Sequence, residues 1–178
     1  MDEIIIRQEK EKDFNQIQEV VRLAFLQMEE SDHTEHKLVE RLHQSDTFIP
    51  ELSLVAETAD KKIVGYILLS EAKVVSGSLS HTVLAVAPLA VLPAFQGKGI
   101  GGMLIRAAHS KASELGYGAA VLLGHPDYYP KFGYQKASLF GIQFPLDAPD
   151  PCCMAIALKE HGLDGVKGMG SYRDVFYQ

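Results

Sequence analysis

The sequence predicts a single α/β domain over residues 1–178, built on a mixed sheet, and three observations carry that expectation. The length of 178 residues matches about one domain, enough to bury roughly 70% of the extended-chain surface without disulfides or metal. The composition, 47% hydrophobic and 22% charged with a mean hydropathy of +0.01, is that of an ordinary globular chain. The third is the order of apolar patterns. Helices interleave with strands early and strands dominate later, as β-α-α-β-β-β-α-β-(short α)-β-β, which argues against a bundle or a sandwich.

The elements follow in order. Ile4-Ile5-Ile6 is a short apolar run that reads as a first strand. From Lys12 to Met28, apolar residues at Phe14, Ile17, Val20, Val21, Ala24, Phe25 and Met28 follow helical spacing with charges between them. Leu38, Val39 and Leu42 suggest a second, shorter helix, ended by Ser45-Asp46 and Pro50. Leu52–Glu57 and Ile63–Leu69 flank the polar stretch Thr58–Lys62 and read as a hairpin. A link around Ser76-Gly77-Ser78 leads to a central strand, Val83–Val91. Pro88 cannot donate to a ladder, so a bulge or splayed edge is expected there. Gly99–Leu115 reads as a helix closed by Gly116, and Ala119–Leu123 as a buried strand. Ser138–Phe144 and Cys153–Leu158 are expected to pair antiparallel, and Gly168–Tyr172 to form a loop into a last strand, Tyr172–Tyr177.

Charge narrows the function classes. Seventeen basic against 23 acidic side chains leave a net charge of −6, which disfavours a nucleic-acid or anionic-membrane surface. No apolar run approaches the ~20 residues of a membrane span. Met1-Asp2-Glu3 is acidic where a secretory leader would be basic, so a cytoplasmic chain is expected. The two cysteines, Cys152 and Cys153, are adjacent and fit reduced thiols in a strand. No metal site is expected: the seven histidines lack ligand spacing, and His33 and His36 have no evident companion.

The informative stretch is Gln96-Gly97-Lys98-Gly99-Ile100-Gly101-Gly102, between a strand and an amphipathic helix. Glycines let backbone approach a ligand, and the N–H groups at a helix start point at it together with the positive end of the helix dipole. This combination suits a phosphate or pyrophosphate, with Lys98 as one local cation. The alternative is a turn that packs a helix closely on a sheet, which needs only one or two glycines. A Walker A loop would need Gly in place of Leu92 and a hydroxyl in place of Gly99. A dinucleotide fingerprint matches at Gly97, Gly99 and Gly102. The following strand, however, ends in Gly124-His125 rather than an acidic residue, and Asp127 lies too far on.

Gln96-x-x-Gly99-x-Gly101 after Leu89-Ala90-Val91-Leu92-Pro93 resembles the acetyl-coenzyme A signature of the GCN5-related N-acetyltransferases (GNAT superfamily). Tyr128-Tyr129-Pro130-Lys131-Phe132-Gly133-Tyr134 resembles that family's second signature, and Gly65 matches a glycine at the turn into the second hairpin strand. The string Ala87–Pro93 is similar to a bacterial subgroup usually called YhbS-like. The resemblance implies a mixed, mostly antiparallel central sheet flanked by helices and splayed at the cofactor strand. It implies that Leu89, Ala90 and Val91 bind the pantetheine arm like an added strand, and that Gln96, Gly97, Lys98, Gly99, Ile100, Gly101 and Gly102 hold the pyrophosphate.

The implied activity is transfer of acetyl from acetyl-CoA, without a metal, to a small amine or an exposed protein amine in a ternary complex. The alternative is a non-catalytic acyl-CoA-binding sensor or regulatory module. An alkylamine is neutral in only roughly one molecule in a few thousand at pH 7, so a base or water chain must take its proton. The resemblance gives Val91 N–H the developing oxyanion and Tyr129 the proton for the departing thiolate. Tyr129 also fits a packing aromatic. The cofactor strand holds no carboxylate, so base candidates are Glu29, Glu30, His33 and Glu71, each of which also fits a solvated position. Pairing into a homodimer through the last strand is a further expectation of the resemblance.

Overall fold

The protein is described by a computed structural model covering residues 3–29 and 31–172. Its elements are β1 (Ile4–Gln8), α1 (Phe14–Phe25), α2 (Glu35–His43), β2 (Ser53–Thr58), β3 (Ile63–Ser76), β4 (Leu79–Val91), α3 (Ile100–Glu114), β5 (Ala119–Leu123), β6 (Gln135–Lys136), β7 (Ile142–Gln143), β8 (Cys153–Ala157) and β9 (Gly168–Ser171). The class is mixed α/β with mostly antiparallel pairing; β4–β5 and β7–β9 are parallel. The chain divides into two compact units, Met1–Leu69 with Ala87–Ala108, and Ser70–Val86 with His109–Gln178.

In the first unit, β2 is buried along its whole length and so are the first eight residues of β3, which is why both read as continuous apolar runs. Helices α1 and α2 bury Ile17, Val20 and Val21, and Val39 and Leu42. Helix α1 stops at Phe25, short of the expected Met28, because Leu26 and Met28 find no cover and stay 48% and 44% exposed. Gly65 sits inside β3 rather than at the hairpin turn. A Cβ there would lie 3.1 Å from Leu104 and 3.3 Å from Ile100, so the missing side chain lets α3 pack closely on the strand.

Two polar networks tie the edges of this unit. Arg7 on β1 bonds Asp13 through both terminal nitrogens, at 2.7 and 3.2 Å, and Glu57 on β2 at 2.6 Å. The Arg7 hydrogen bond holds the Asp13 carboxyl below its ordinary range. In the second network, His43 Nε2 donates to Glu9 at 2.5 Å and Nδ1 donates to the Val39 carbonyl at 2.7 Å. Both ring nitrogens thus face acceptors, which only the imidazolium satisfies. Burial pulls the His43 pKa down, but the bonds to Glu9 and Val39 outweigh it and leave it raised. Glu9 also accepts from the Ser53 hydroxyl, which in turn accepts from buried Tyr66 at 2.5 Å.

In the second unit, β5 pairs with β8 from Ala119↔Ala157 to Leu123↔Cys153. The core gathers Val74, Val83, Val121, Ile142, Ala155 and Val166, with Phe140 and Phe144 packed against it. Two expectations are corrected here. Ser138–Phe144 is not one strand paired with Cys153–Leu158. Residues Ala137–Phe140 form a 3-10 turn, and Gly141, left-handed at φ 74°, breaks the run. The partner of β8 on that side is β6, while β7 runs parallel to β9. The segment Gly168–Ser171, expected as loop, is strand β9, bonded to β3 from Lys73↔Ser171 to Val75↔Met169. Gly168 permits this: at φ 126°, its missing Cβ would lie 2.1 Å from the Val75 carbonyl oxygen. The expected strand Tyr172–Tyr177 lies outside the described residues beyond Tyr172.

Overpacking under α3 predicts that Gly65→Val destabilises the protein by about 1–3 kcal/mol, read from chemical denaturation midpoints. The His43 network predicts a pH trend. With a folded pKa above the unfolded value, His43 stabilises fully below about pH 6.5, and that contribution is lost as pH rises through the raised value. Urea unfolding from about pH 6 to about pH 8.5 should therefore weaken the wild type more steeply than His43→Gln.

Candidate active site

The C-terminal end of β4 is where the sequence places the cofactor strand. β3 and β4 meet at the two-residue turn Gly77-Ser78, with Gly77 at φ 59°. That turn joins antiparallel neighbours and sets Ser76 opposite Leu79. Continuing its register would bring Val91 opposite Val64, yet it is Leu92 N–H that donates to the Val64 carbonyl, at 2.9 Å. The bond falls one residue later than that register, at the end of the strand that contains Pro88. The Ala87–Pro88 peptide is cis and Pro88 is buried within the strand. The β4–β5 ladder consists of Leu84↔Ala120 and Ala85↔Val121, both before Pro88.

Backbone groups alternate in direction along a strand. With Leu92 N–H turned toward β3, the Val91 carbonyl of the same trans peptide unit points away from it. Ala90 precedes Val91 in the same strand. Its side chain is buried, whereas Leu89 and Val91 are half-buried. The Val91 carbonyl accepts from Gln96 Nε2 at 3.0 Å, so Gln96 folds the loop back onto the strand.

The loop itself is exposed from Gln96 to Gly99. Gly97 and Gly99 are left-handed, at φ 77° and 82°, a conformation glycine adopts without penalty. A Cβ on either would meet nothing within 4 Å, so both open onto free space. Ile100, Gly101 and Gly102 are buried in the first turn of α3. The first-turn N–H groups remain without intrahelical partners. The four glycines thus divide into two that open the loop and two that are buried. The Lys98 and Lys62 ammonium groups lie 5.3 and 5.7 Å from the centroid of the Phe95 ring. Lys62 was read only as a turn residue, since the apposition of two sequence-distant lysines on one ring leaves no local signal.

Tyr129 belongs to the second unit, at the start of a 3-10 turn, Tyr129–Phe132, and is half-buried. Its ring meets Tyr128 and Tyr134 edge-on, with centroids 5.1 and 5.8 Å away. Burial, and then Tyr128, push its pKa up to about 12, so it holds its proton throughout the neutral range. Tyr134 shares a 2.8 Å hydrogen bond with His109 Nε2, and burial lowers the His109 pKa to about 4.

The base candidates differ in their surroundings. Glu71 accepts from the Tyr117 hydroxyl at 2.5 Å. His33 Nδ1 donates to the Phe25 carbonyl at 3.0 Å, which fixes the neutral tautomer and leaves Nε2 as the basic nitrogen. Glu29 is exposed, and Glu30 lies outside the described residues. Among the described residues, no cluster of three His, Cys, Asp or Glu side chains could hold a metal ion. None of the described helices is long and apolar enough to cross a membrane.

Comparison with known proteins agrees with this geometry. The family model described as an acetyltransferase (GNAT) domain matches residues 50–136. The uncharacterized N-acetyltransferase YhbS of Escherichia coli (strain K12) is 31% identical over 173 residues, covering 97% of this chain and 98% of that protein. The uncharacterized N-acetyltransferase YjhQ of the same organism is 36% identical over 126 residues, 71% of this chain and 66% of its own length. Among solved structures, Escherichia coli YhbS in complex with CoA superposes with a TM-score of 0.89 at 27% identity, covering 100% of this chain and 94% of that one. A GNAT family acetyltransferase from Brucella melitensis in complex with acetyl-CoA gives 0.80 at 29% identity, with 98% of each chain covered. With the glycine loop, the strand before it and near-complete coverage of YhbS in agreement, the chain belongs to the GNAT acetyltransferase family.

Proposed function

We propose that this protein transfers the acetyl group of acetyl-CoA to a small amine or an exposed protein amine, by direct attack within a ternary complex. The observation that carries the reading is the exposed, left-handed pair Gly97 and Gly99. They open onto the start of the 15-residue helix α3, directly after the end of β4, where Gln96 holds the Val91 carbonyl. The solved relatives bound to CoA and acetyl-CoA support the same donor.

The donor supplies an activated thioester; the chain supplies position and charge. The loop N–H groups from Gly97 to Gly102 hold the pyrophosphate, with Lys98 adding a cation. Leu89, Ala90 and Val91 take the pantetheine arm as an added strand, and Val91 N–H meets the developing oxyanion. Gln96 contributes by holding the Val91 carbonyl. The family resemblance assigns Tyr129 the proton for the departing thiolate. Its raised pKa suits a donor that must stay protonated at neutral pH. The free thiols Cys152 and Cys153 fit a cytoplasmic setting.

Tyr129→Phe should lower kcat by roughly 10²–10⁴-fold, with the Kd for acetyl-CoA kept within about twofold, in a thiol-release assay against a broad amine panel. Unchanged kcat would remove Tyr129 from the chemistry, and binding of acetyl-CoA without turnover on any amine would favour the sensor reading. Gly99→Val forces a β-branched residue into the left-handed region, at about 1–2 kcal/mol, and places atoms in the open space above the loop. Acetyl-CoA affinity by calorimetry should fall on the order of tenfold or more.

A further inference from the structure

We infer that Gly124 is a positioning residue whose missing side chain forms the seat of the Tyr129 ring. Gly124 follows β5 directly, and a Cβ built on it would lie 2.4 Å from Tyr129 Cε2 and 2.9 Å from Cδ2. Real Cβ atoms do not approach a ring this closely, so either the backbone or the ring would have to move. The backbone is restrained. Gly124 N–H donates to the Cys152 carbonyl at 2.9 Å, and the residue before it, Leu123, is in register with Cys153. The φ of Gly124 is not in the left-handed region, so glycine is needed here for space and not for conformation.

The Tyr129 ring also packs nearly perpendicular to Tyr128 and Tyr134, with centroids 5.1 and 5.8 Å away, and Tyr134 is hydrogen-bonded to His109. The chain at Gly124 and these two aromatics are thus all close neighbours of the ring. A methyl group at Gly124 would therefore drive the phenol out of its place. Leu122 Cδ1, 3.2 Å from the same Cβ, is the tip of a flexible side chain and can give way. The turn beyond Gly124 is built to bring the ring back. Tyr128 N–H donates to the His125 carbonyl at 3.2 Å and Asp127 N–H to His125 Nδ1 at 3.1 Å, so the chain reverses within four residues.

The seat is a steric statement that stands on packing alone; its consequence for turnover rests on the reading of Tyr129 as proton donor. A misplacement of about 1 Å in a catalytic group can cost about a hundredfold. The burial that raises the Tyr129 pKa would also be partly lost.

The test is a double-mutant cycle with Gly124→Ala and Tyr129→Ala, read by thermal unfolding, together with Gly124→Ala and Tyr129→Phe read by kinetics. Gly124→Ala should lower Tm by roughly 5 °C in the wild type and by about 1 °C or less in Tyr129→Ala, where the obstructed ring is gone. In steady-state assays Gly124→Ala should lower kcat by about a hundredfold with the KM for acetyl-CoA within about twofold, and add little to Tyr129→Phe. Ultraviolet titration of the phenols should show one group shifted toward the ordinary tyrosine value near 10. An equal loss of Tm in both backgrounds would overturn the seat. If the Tm coupling holds while Tyr129→Phe keeps full kcat, the seat stands and the proton-donor reading of Tyr129 falls.

Discussion

The hydrogen bond from Leu92 N–H to the Val64 carbonyl governs the candidate site, because it sets which backbone groups at the end of β4 face β3 and which face away. That bond turns the Val91 carbonyl outward, where Gln96 takes it. The exposed glycine loop and the start of α3 follow within a few residues.

The loop reconciles an acidic chain with a polyanionic ligand. A net charge of −6 leaves no broad basic face, and none is needed when the donors are main-chain N–H groups at a helix start. Gly97 and Gly99 expose that backbone, while Gly101 and Gly102 are buried in the first turn of α3. Gly65 lets the helix approach the strand closely. Lys62 and Lys98, both near the Phe95 ring, add local positive charge beside the loop without altering the overall balance.

The parts legible in the sequence are those whose signal is local. The amphipathic stripe of α1, the buried runs of β2 and β3 and the glycine string each announce themselves by periodicity or composition. The C-terminal third was misread at Ser138–Phe144 and Gly168–Tyr172 because its strands are short and join non-neighbouring partners. β6 is two residues long and recognisable only by its pairing with β8, and β9 exists because β3 extends beyond Leu69 to receive it. Polar and glycine-rich segments such as Gly168–Ser171 carry no strand periodicity, so their state is decided by the partner. The Gly124 seat was equally hidden: a glycine at a strand end reads as punctuation until the ring it accommodates is seen.

By itself, the sequence determined the α/β class, the order of the principal elements, the position of the anion-binding loop and the family resemblance, since each rests on residues close together in the chain. Only the tertiary structure decided which backbone edge Val91 presents, that two of the four loop glycines are buried, that His43 is flanked by two acceptors, and that Tyr129 is held against Gly124. These depend on register and on contacts between distant residues. A strand's edge is set by what pairs with it, and a side chain's environment by what packs over it.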